Sequence, residues 1–452
     1  MSRSSRRSFL HKLAWGSAAM ACGVELLGRQ PDVLPEWLSR RRSFSANDHI
    51  QIAVIGAGGM GIADVTTALS IPGVQIVAAC DLYDGRLAQA RQRWGKDLFV
   101  TRDYREILAR SEIDAVIVAT PDFWHKKIAV EALAAGKAVY CEKPMVYAVD
   151  EGAAIIAAQQ QSGKVFQVGS QGMSSLGNEK AKELYEAGAI GQLNYAEGFW
   201  ARNSPLGAWQ YPIPEDASPE TVDWDRYLSI TMQRPWDPLR FFRWRNYRDY
   251  GTGVSGDLFV HLFSSLHYIT SSKGPRKIVA TGGLRYWKDG REVPDVLLGI
   301  FDYPECTTHP GFNLSLRVNF VDGTSGNTFL RLVGNEGAMD VTWNDVFLYK
   351  NISVDPLDDA FFQQKISEGG TPVAPRARML PPKKMHYQAE PHYKGAHYDH
   401  FVNFFHSMRT GNPVIEDALF GYRAAAPALL CNNSYFEERI IRWDPEELVV
   451  VH

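Results

Sequence analysis

Gly56, Gly58 and Gly61 stand at the spacing GxGxxG, directly after the apolar run Ile52-Ala53-Val54-Ile55 and directly before a helical pattern from Ile62 to Leu69. That context gives the spacing a physical meaning. Gly56 permits a tight turn, Gly58 removes the side chain where backbone must approach a pyrophosphate, and Gly61 lets the helix pack close to its strand. Phosphate oxygens would then meet unpaired N–H groups and the positive helix end, with Gly59 and Met60 completing the loop. A second apolar run, Val74 to Cys80, ends in Asp81, 20 residues beyond Gly61. A carboxylate there binds the adenosine ribose hydroxyls and would repel a 2′-phosphate. The residues imply a nicotinamide dinucleotide, NAD in preference to NADP, with Arg86 close enough in sequence to weaken the preference. Without the glycines, Asp81 would be readable as a helix N-cap or turn residue.

The elements that must position such a site alternate in type. Ala115 to Thr120 is a continuous apolar run of the kind a parallel sheet buries on both faces, a helix pattern follows from His125 to Ala135, and Gly136 ends it. The next strand, Ala138 to Cys141, delivers Glu142-Lys143-Pro144. Ligands of open parallel sheets sit at the carboxyl ends of strands, so Thr120, Pro121 and Lys143 fall beside the cofactor cleft. Strand-like segments then recur at hairpin-like spacing: Leu193–Phe199, Lys277–Gly282, Leu297–Tyr303, Phe312–Phe320 and Thr328–Gly334. The chain therefore reads as α/β, with a doubly wound parallel Rossmann sheet over residues 47–169 and a C-terminal α+β domain with a largely antiparallel sheet over 170–452. A formal net charge of -3 and the absence of a basic tract give no electrostatic case for nucleic acid. The 5 cysteines include no CxxC pair and suggest neither a disulfide framework nor zinc, and Cys80 and Cys141 read as small buried hydrophobes.

Three stretches resemble the Gfo/Idh/MocA oxidoreductase family: the GxGxxG unit, Thr120-Pro121-Asp122-Phe123-Trp124-His125, and Glu142-Lys143-Pro144. The resemblance resumes at Tyr250-Gly251-Thr252-Gly253 with Asp257 and His261, and again at His400 to Phe404 and Glu416-Asp417-Ala418. It implies Lys143, Asp257 and His261 as the catalytic group, with Thr120, Pro121, His125, Glu142 and Lys143 added to the cofactor-binding set. The chemistry agrees. Oxidising an alcohol needs a base to take the hydroxyl proton while hydride leaves, and histidine titrates nearest neutral pH. A lysine at the end of a central strand can steady the developing negative charge on the same oxygen. Asp257 and His261, four apart on a predicted helix, point from one face. The alternatives are a surface Asp-His pair, which the neighbouring Leu258, Phe259 and Val260 disfavour, and a metal site, for which no third ligand stands at a telling spacing. Family members often carry an aspartate three residues after the histidine, where this chain has Ser264.

The substrate side is read from aromatics. Trp200, Trp209, Trp224, Trp236 and Trp244 fall in one stretch beside Arg240, Arg243 and Arg245, and flat faces next to hydrogen-bond donors suit a sugar ring. About two of the five are expected to line a site, since aromatics are mostly buried for packing. The stretch reads as a long loop insertion over the cleft, and Trp200, Arg245, Tyr250 and His261 are the expected substrate contacts. The resemblance further implies a homo-oligomer formed through the C-terminal sheet. At the other end of the chain, Ser5-Arg6-Arg7-Ser8-Phe9-Leu10 and the uncharged stretch Leu13 to Val24 match a twin-arginine export signal within residues 1–46, too short to span a bilayer, with lipidation of Cys22 left open. A periplasmic enzyme without a recycled nicotinamide pool would close its redox cycle on a tightly held cofactor. Three functions satisfy these features: an oxidoreductase acting on a sugar, polyol or glycoside hydroxyl, a redox-neutral glycosidase or lyase working through a transient keto-sugar, as in NAD-dependent α-N-acetylgalactosaminidases, and a sugar-binding protein without turnover. Lys143, Asp257 and His261 favour the first.

Overall fold

The computed structural model describes residues 24–26, 49–203, 208–323, 328–354 and 378–451. The arginine pair and Cys22 lie outside the described residues. A short strand, Val24–Leu26 (β1), pairs in parallel with the distant strand Arg378–Gln388.

The first sheet is six-stranded and wholly parallel, built from Ile50–Ile55 (β2), Val74–Cys80 (β3), Phe99–Thr101 (β4), Ala115–Val118 (β5), Ala138–Cys141 (β6) and Phe166–Val168 (β7) in the order β4-β3-β2-β5-β6-β7. Every residue of β5 and β6 is buried, which is why these strands are unbroken apolar runs: helices cover both faces. The chain winds outward in opposite directions from β2, and the crevice at that reversal, above the carboxyl ends of β2 and β5, is where an open α/β sheet receives a ligand. Helices Gly59–Leu69 (α1) and His125–Ala134 (α2) leave from those ends.

The second sheet has eleven strands. Leu193–Ala201 (β8), Lys277–Gly283 (β9), Val296–Tyr303 (β10), Phe312–Asn319 (β11), Thr328–Gly334 (β12), Gly337–Val341 (β13), Asp345–Val354 (β14), Arg378–Gln388 (β15), Ile441–Asp444 (β16) and Val449–Val451 (β17) join β1 in the order β1-β15-β14-β13-β12-β8-β11-β10-β9-β16-β17. Its pairs are antiparallel except β8 with β11 and β1 with β15. All five anticipated strands form within one or two residues of their expected limits, and the sheet extends further through β13 to β17. On β10 the residues alternate, Leu297, Phe301 and Tyr303 inward and Leu298 and Ile300 outward, because only one face is covered. Helices Val260–Thr270 (α3) and Ala418–Glu437 (α5) lie on the covered side.

The helix Ala396–Thr410 (α4) crosses back to the first sheet. Phe401 stacks on Tyr140 at 4.2 Å, and Phe404 and Phe405 join the same apolar cluster as Ile52 and Val54. Each such buried ring contributes roughly 1.5–3 kcal/mol, so this resembling stretch near the C-terminus fastens α4 onto the first sheet. No helix among the described residues is long and apolar enough to cross a membrane.

Candidate active site

The glycine loop between β2 and α1 has the geometry its spacing demands. Gly56 adopts a φ of +97°, and a Cβ there would lie 2.5 Å from the Ala119 carbonyl oxygen. A Cβ on Gly61 would come within 2.0 Å of the Gly56 carbonyl oxygen, so only glycine lets α1 sit this close to its strand. Gly59 faces open space, and no side chain caps Gly58 at the start of α1. The first amides of the helix are thus free for an anion. Thr120 Oγ1, on the facing strand end, is buried without a partner in the chain. Asp81 closes the far side: its Oδ2 accepts from Ala57 N at 2.9 Å and its Oδ1 from Tyr83 N at 3.0 Å. The carboxylate therefore orders the loop as well as lining the cleft. These residues fit a dinucleotide. Arg86 also reaches the cleft, 3.5 Å from Asp81 Oδ1 and stacked over Phe242, a position the sequence suggested only by proximity.

The cleft holds about 760 Å³ and runs from this loop to Lys143, Asp257 and His261. Lys143 Nζ donates to Asp257 Oδ1 at 2.9 Å and to the Asp257 carbonyl oxygen at 2.7 Å, and Arg245 Nε stands 3.3 Å from the same Oδ1. Burial alone would raise the Asp257 carboxyl, but the Lys143 ammonium and the Arg245 guanidinium hold it well below the usual carboxylate range. Asp257 lies in a π-helical turn, Ser255–Phe259, that leads into α3 and still leaves its side chain on the His261 side. Burial, then the charge of Lys143, pushes His261 well below the ordinary imidazole range, so it is neutral. Its Nδ1 is buried without a partner, and no described residue bonds Nε2. The ring is held flat against Trp200, with centroids 5.1 Å apart.

The other resembling stretches act as fasteners around these groups. Asp122 Oδ2 accepts from the Thr252 amide at 2.9 Å and from its hydroxyl at 2.7 Å, tying the end of β5 to the turn that precedes Asp257. His125 lies with Nε2 2.9 Å from the Thr120 carbonyl oxygen and Nδ1 2.8 Å from that of Pro144. It fixes the Lys143-Pro144 turn relative to β5 from behind the cleft wall. Glu142 is also behind the wall, buried and bonded by Gln171 Nε2 at 2.7 Å; burial, then repulsion from Asp64, pushes its carboxyl up. At Ser264, where the family often has an acid, Oγ donates to the buried Glu416 at 2.9 Å, so a carboxyl from α5's approach stands behind the serine.

Most of the expected site residues meet in one cleft: Gly56, Gly58, Gly59, Met60, Asp81, Thr120, Pro121, Lys143, Arg245, Asp257 and His261 all line it. Gly61, His125 and Glu142 support it from outside. Tyr250 is fully buried in an aromatic core, 5.4 Å from Phe123 and 5.2 Å from Tyr227, and does not reach the cleft. Of the tryptophans, Trp209 and Trp244 line the cleft, Trp200 backs His261, and Trp224 and Trp236 pack edge to face on each other. The stretch bearing them lies across the first sheet: Asp84 N donates to the Thr221 carbonyl at 3.0 Å, Asp223 N to that of Leu82 at 2.9 Å, and Arg226 pairs with Asp103 at 2.6 Å. Tyr211, Phe241 and Phe242 thereby join the lining. Arg202 was missed by sequence reasoning, although strand alternation puts it two residues from Trp200 on the same side of the chain.

The oxidoreductase family with an NAD-binding Rossmann fold, Gfo/Idh/MocA, matches residues 50–170. Inositol 2-dehydrogenase of Salmonella paratyphi B is 29% identical over 145 residues, 32% of this chain and 43% of that protein. Glycosyl hydrolase family 109 protein 2 of Shewanella sp. (strain ANA-3) is 37% identical over 112 residues, 23% of this chain and 25% of that protein. The chain thus spans less than half the length of these curated relatives. The solved structure of levoglucosan dehydrogenase in complex with NADH and levoglucosan matches with a TM-score of 0.62 at 18% identity, covering 87% of this chain and 99% of that one, a likeness of fold. With a glycine loop shaped for a pyrophosphate, an acid at the ribose position and a family match over the same residues, residues 50–170 form an NAD-binding Rossmann domain similar to that of the Gfo/Idh/MocA oxidoreductases.

Proposed function

We propose that the protein is an NAD(H)-dependent oxidoreductase acting on a CH–OH group of a sugar, polyol or glycoside, with the dinucleotide tightly held. The observation that carries this reading is the convergence of charged Lys143 and neutral His261 on the cleft that begins at the glycine loop. Nicotinamide, when bound, supplies the hydride acceptor. His261 Nε2 takes the substrate hydroxyl proton. Lys143 spends two N–H donors on Asp257, and its third is left to hold the reacting oxygen as negative charge develops there. Asp257 orients the ammonium, and the bonded strap at 208–250 supports slow loss of the cofactor.

The test is to purify the protein, identify any co-purifying dinucleotide and follow bound-cofactor absorbance on adding free sugars and glycosides without external NAD. Reduction of the bound cofactor by a sugar or polyol supports the proposal. The likeness to a glycosyl hydrolase family 109 protein favours a second reading, glycoside cleavage with no net redox change. Release of a leaving group without accumulated NADH would decide for it. Because the base is already neutral, kcat/KM for oxidation is expected to hold as pH falls through the ordinary imidazole range and to be lost only well below it, measured as a pH–rate profile. An acid limb at the ordinary histidine value would remove His261 as the base.

The second sheet supports assembly into a homo-oligomer. Leu298 and Ile300 of β10 and Val279 of β9, the last directly opposite Ile300, are exposed together on its uncovered face. Replacing Leu298 and Ile300 by Glu is expected to convert the oligomer to monomers in sedimentation velocity. An unchanged profile places the interface elsewhere.

A further inference from the structure

The substrate end of the cleft carries more positive charge than the chain neutralises. Lys143, Arg245 and Arg202 all line it, and the one carboxylate among them, Asp257, is already shared between Lys143 at 2.9 Å and Arg245 at 3.3 Å. Arg202 makes no ion pair or side-chain hydrogen bond among the described residues; its guanidinium lies over the Trp200 ring, 5.9 Å from the centroid, on the same indole that stacks on His261. The charge of Arg202 reaches both Asp257 and His261, lowering the proton affinity of each. His261 is neutral and cannot add to the surplus or offset it. With the buried Asp122 also acting on Arg245 from behind the wall, three cations face two carboxyl groups, and the unmatched positive charge beside the reacting space is that of Arg202.

The cofactor does not explain this surplus. Its phosphates belong at the free amides of α1, where Arg86 approaches Gly58, and that loop lies at the other end of the cleft. Arg202 is exposed, and a neutral sugar covering it could accept its hydrogen bonds but would displace water from the guanidinium without supplying a counter-charge. The planar fork of arginine suits an oxyanion, which it can hold through two parallel bonds.

We propose that the substrate is an acidic sugar, whose carboxylate or phosphate is held by Arg202, with Arg245 contributing, while a neighbouring hydroxyl meets Lys143 and His261. This rests on the oxidoreductase reading for the hydroxyl, and only on the charge arrangement for the acid. An anion seated there would also offset the cations that weaken His261 as a base, coupling the right substrate to a stronger one.

Calorimetric titration of the NAD-loaded protein with matched pairs tests it: glucuronate against glucose, galacturonate against galactose, gluconate against sorbitol, and glucose 6-phosphate against glucose. At least one acid is expected to bind about 10-fold or more tightly than its neutral counterpart, a preference that weakens at high salt. Whether the carboxylates or the phosphate ester show it identifies the anion. Arg202→Gln should remove most of that preference, and Arg202→Lys should restore part of it. Neutral sugars binding as tightly as every acid, no acid binding at all, or an Arg202→Gln change that is equal for both members of a pair would overturn the proposal. Cofactor reduction is read separately on the same samples: selective binding of an acid without reduction leaves the acidic-ligand assignment standing and counts against oxidation.

Discussion

Lys143→Met is expected to lower turnover by about 100-fold or more while the protein still co-purifies with its dinucleotide. Two consequences of the observed contacts make the expectation specific. The ammonium holds Asp257 through two hydrogen bonds, and its third donor is the only one directed by neither, so the substitution removes the group that would steady the reacting oxygen without touching the glycine loop. The Lys143 charge is also the largest cause, after burial, of the depressed proton affinity of His261. Its loss should move the acid limb of the pH–rate profile upward, toward the ordinary imidazole range. Asp257 keeps Arg245 as a partner at 3.3 Å, so the variant is not left with a wholly unpaired buried charge. Bound-cofactor absorbance and the thermal midpoint separate a chemical defect from a folding one. Unchanged turnover would take Lys143 out of the reaction, and a fall in turnover with an unmoved acid limb would mean that His261 is not the group that titrates.

What the amino-acid sequence made legible follows from how local each signal is. The glycine loop, Asp81 and the buried parallel strands depend on contacts within a single strand-turn-helix unit, and their residue types carry that geometry directly. The same holds for β8 to β12, whose one covered face imposes an alternation that can be seen in the chain. Strands β13 to β17 were not anticipated. Two of them are held by neighbours far away in sequence, β15 by β1 and β16 by β9, while β13, β14 and β17 complete hairpins with the strands next to them in the chain. Tyr250 shows the limit for side chains. Its place in a resembling turn suggested a substrate contact, but the direction of the ring is decided by Phe123 and Tyr227, more than a hundred and about twenty residues away in sequence, which close an aromatic core around it. His125 and Glu142 were likewise placed in the correct region and one layer too far forward. A motif specifies which elements meet, whereas the face a side chain presents depends on packing that only the fold supplies.

The second large effect is expected at Gly61, and the contrast with Gly59 is what gives it force. Gly61→Ala places a methyl 2.0 Å from the Gly56 carbonyl oxygen and 3.2 Å from Val54. Neither neighbour can yield cheaply, since one is backbone in a turn with φ of +97° and the other is packed in the sheet. Helix α1 must therefore move away from β2, and the amides at its start move with it. Overpacking of this kind costs about 1–3 kcal/mol, and the displaced amides no longer converge on one pyrophosphate. Affinity for NAD should fall by about 100-fold or more, with a lowered thermal midpoint. Gly59→Ala meets nothing within 4 Å and sits at the first position of the helix, where alanine is favourable. It should keep both the thermal midpoint and, to within about threefold, NAD affinity. The pair separates the two roles a glycine can have in this loop. If Gly61→Ala binds NAD as tightly as Gly59→Ala does, the close approach of α1 to β2 is not what shapes the phosphate site, and the first amides of the helix are not the groups that hold it.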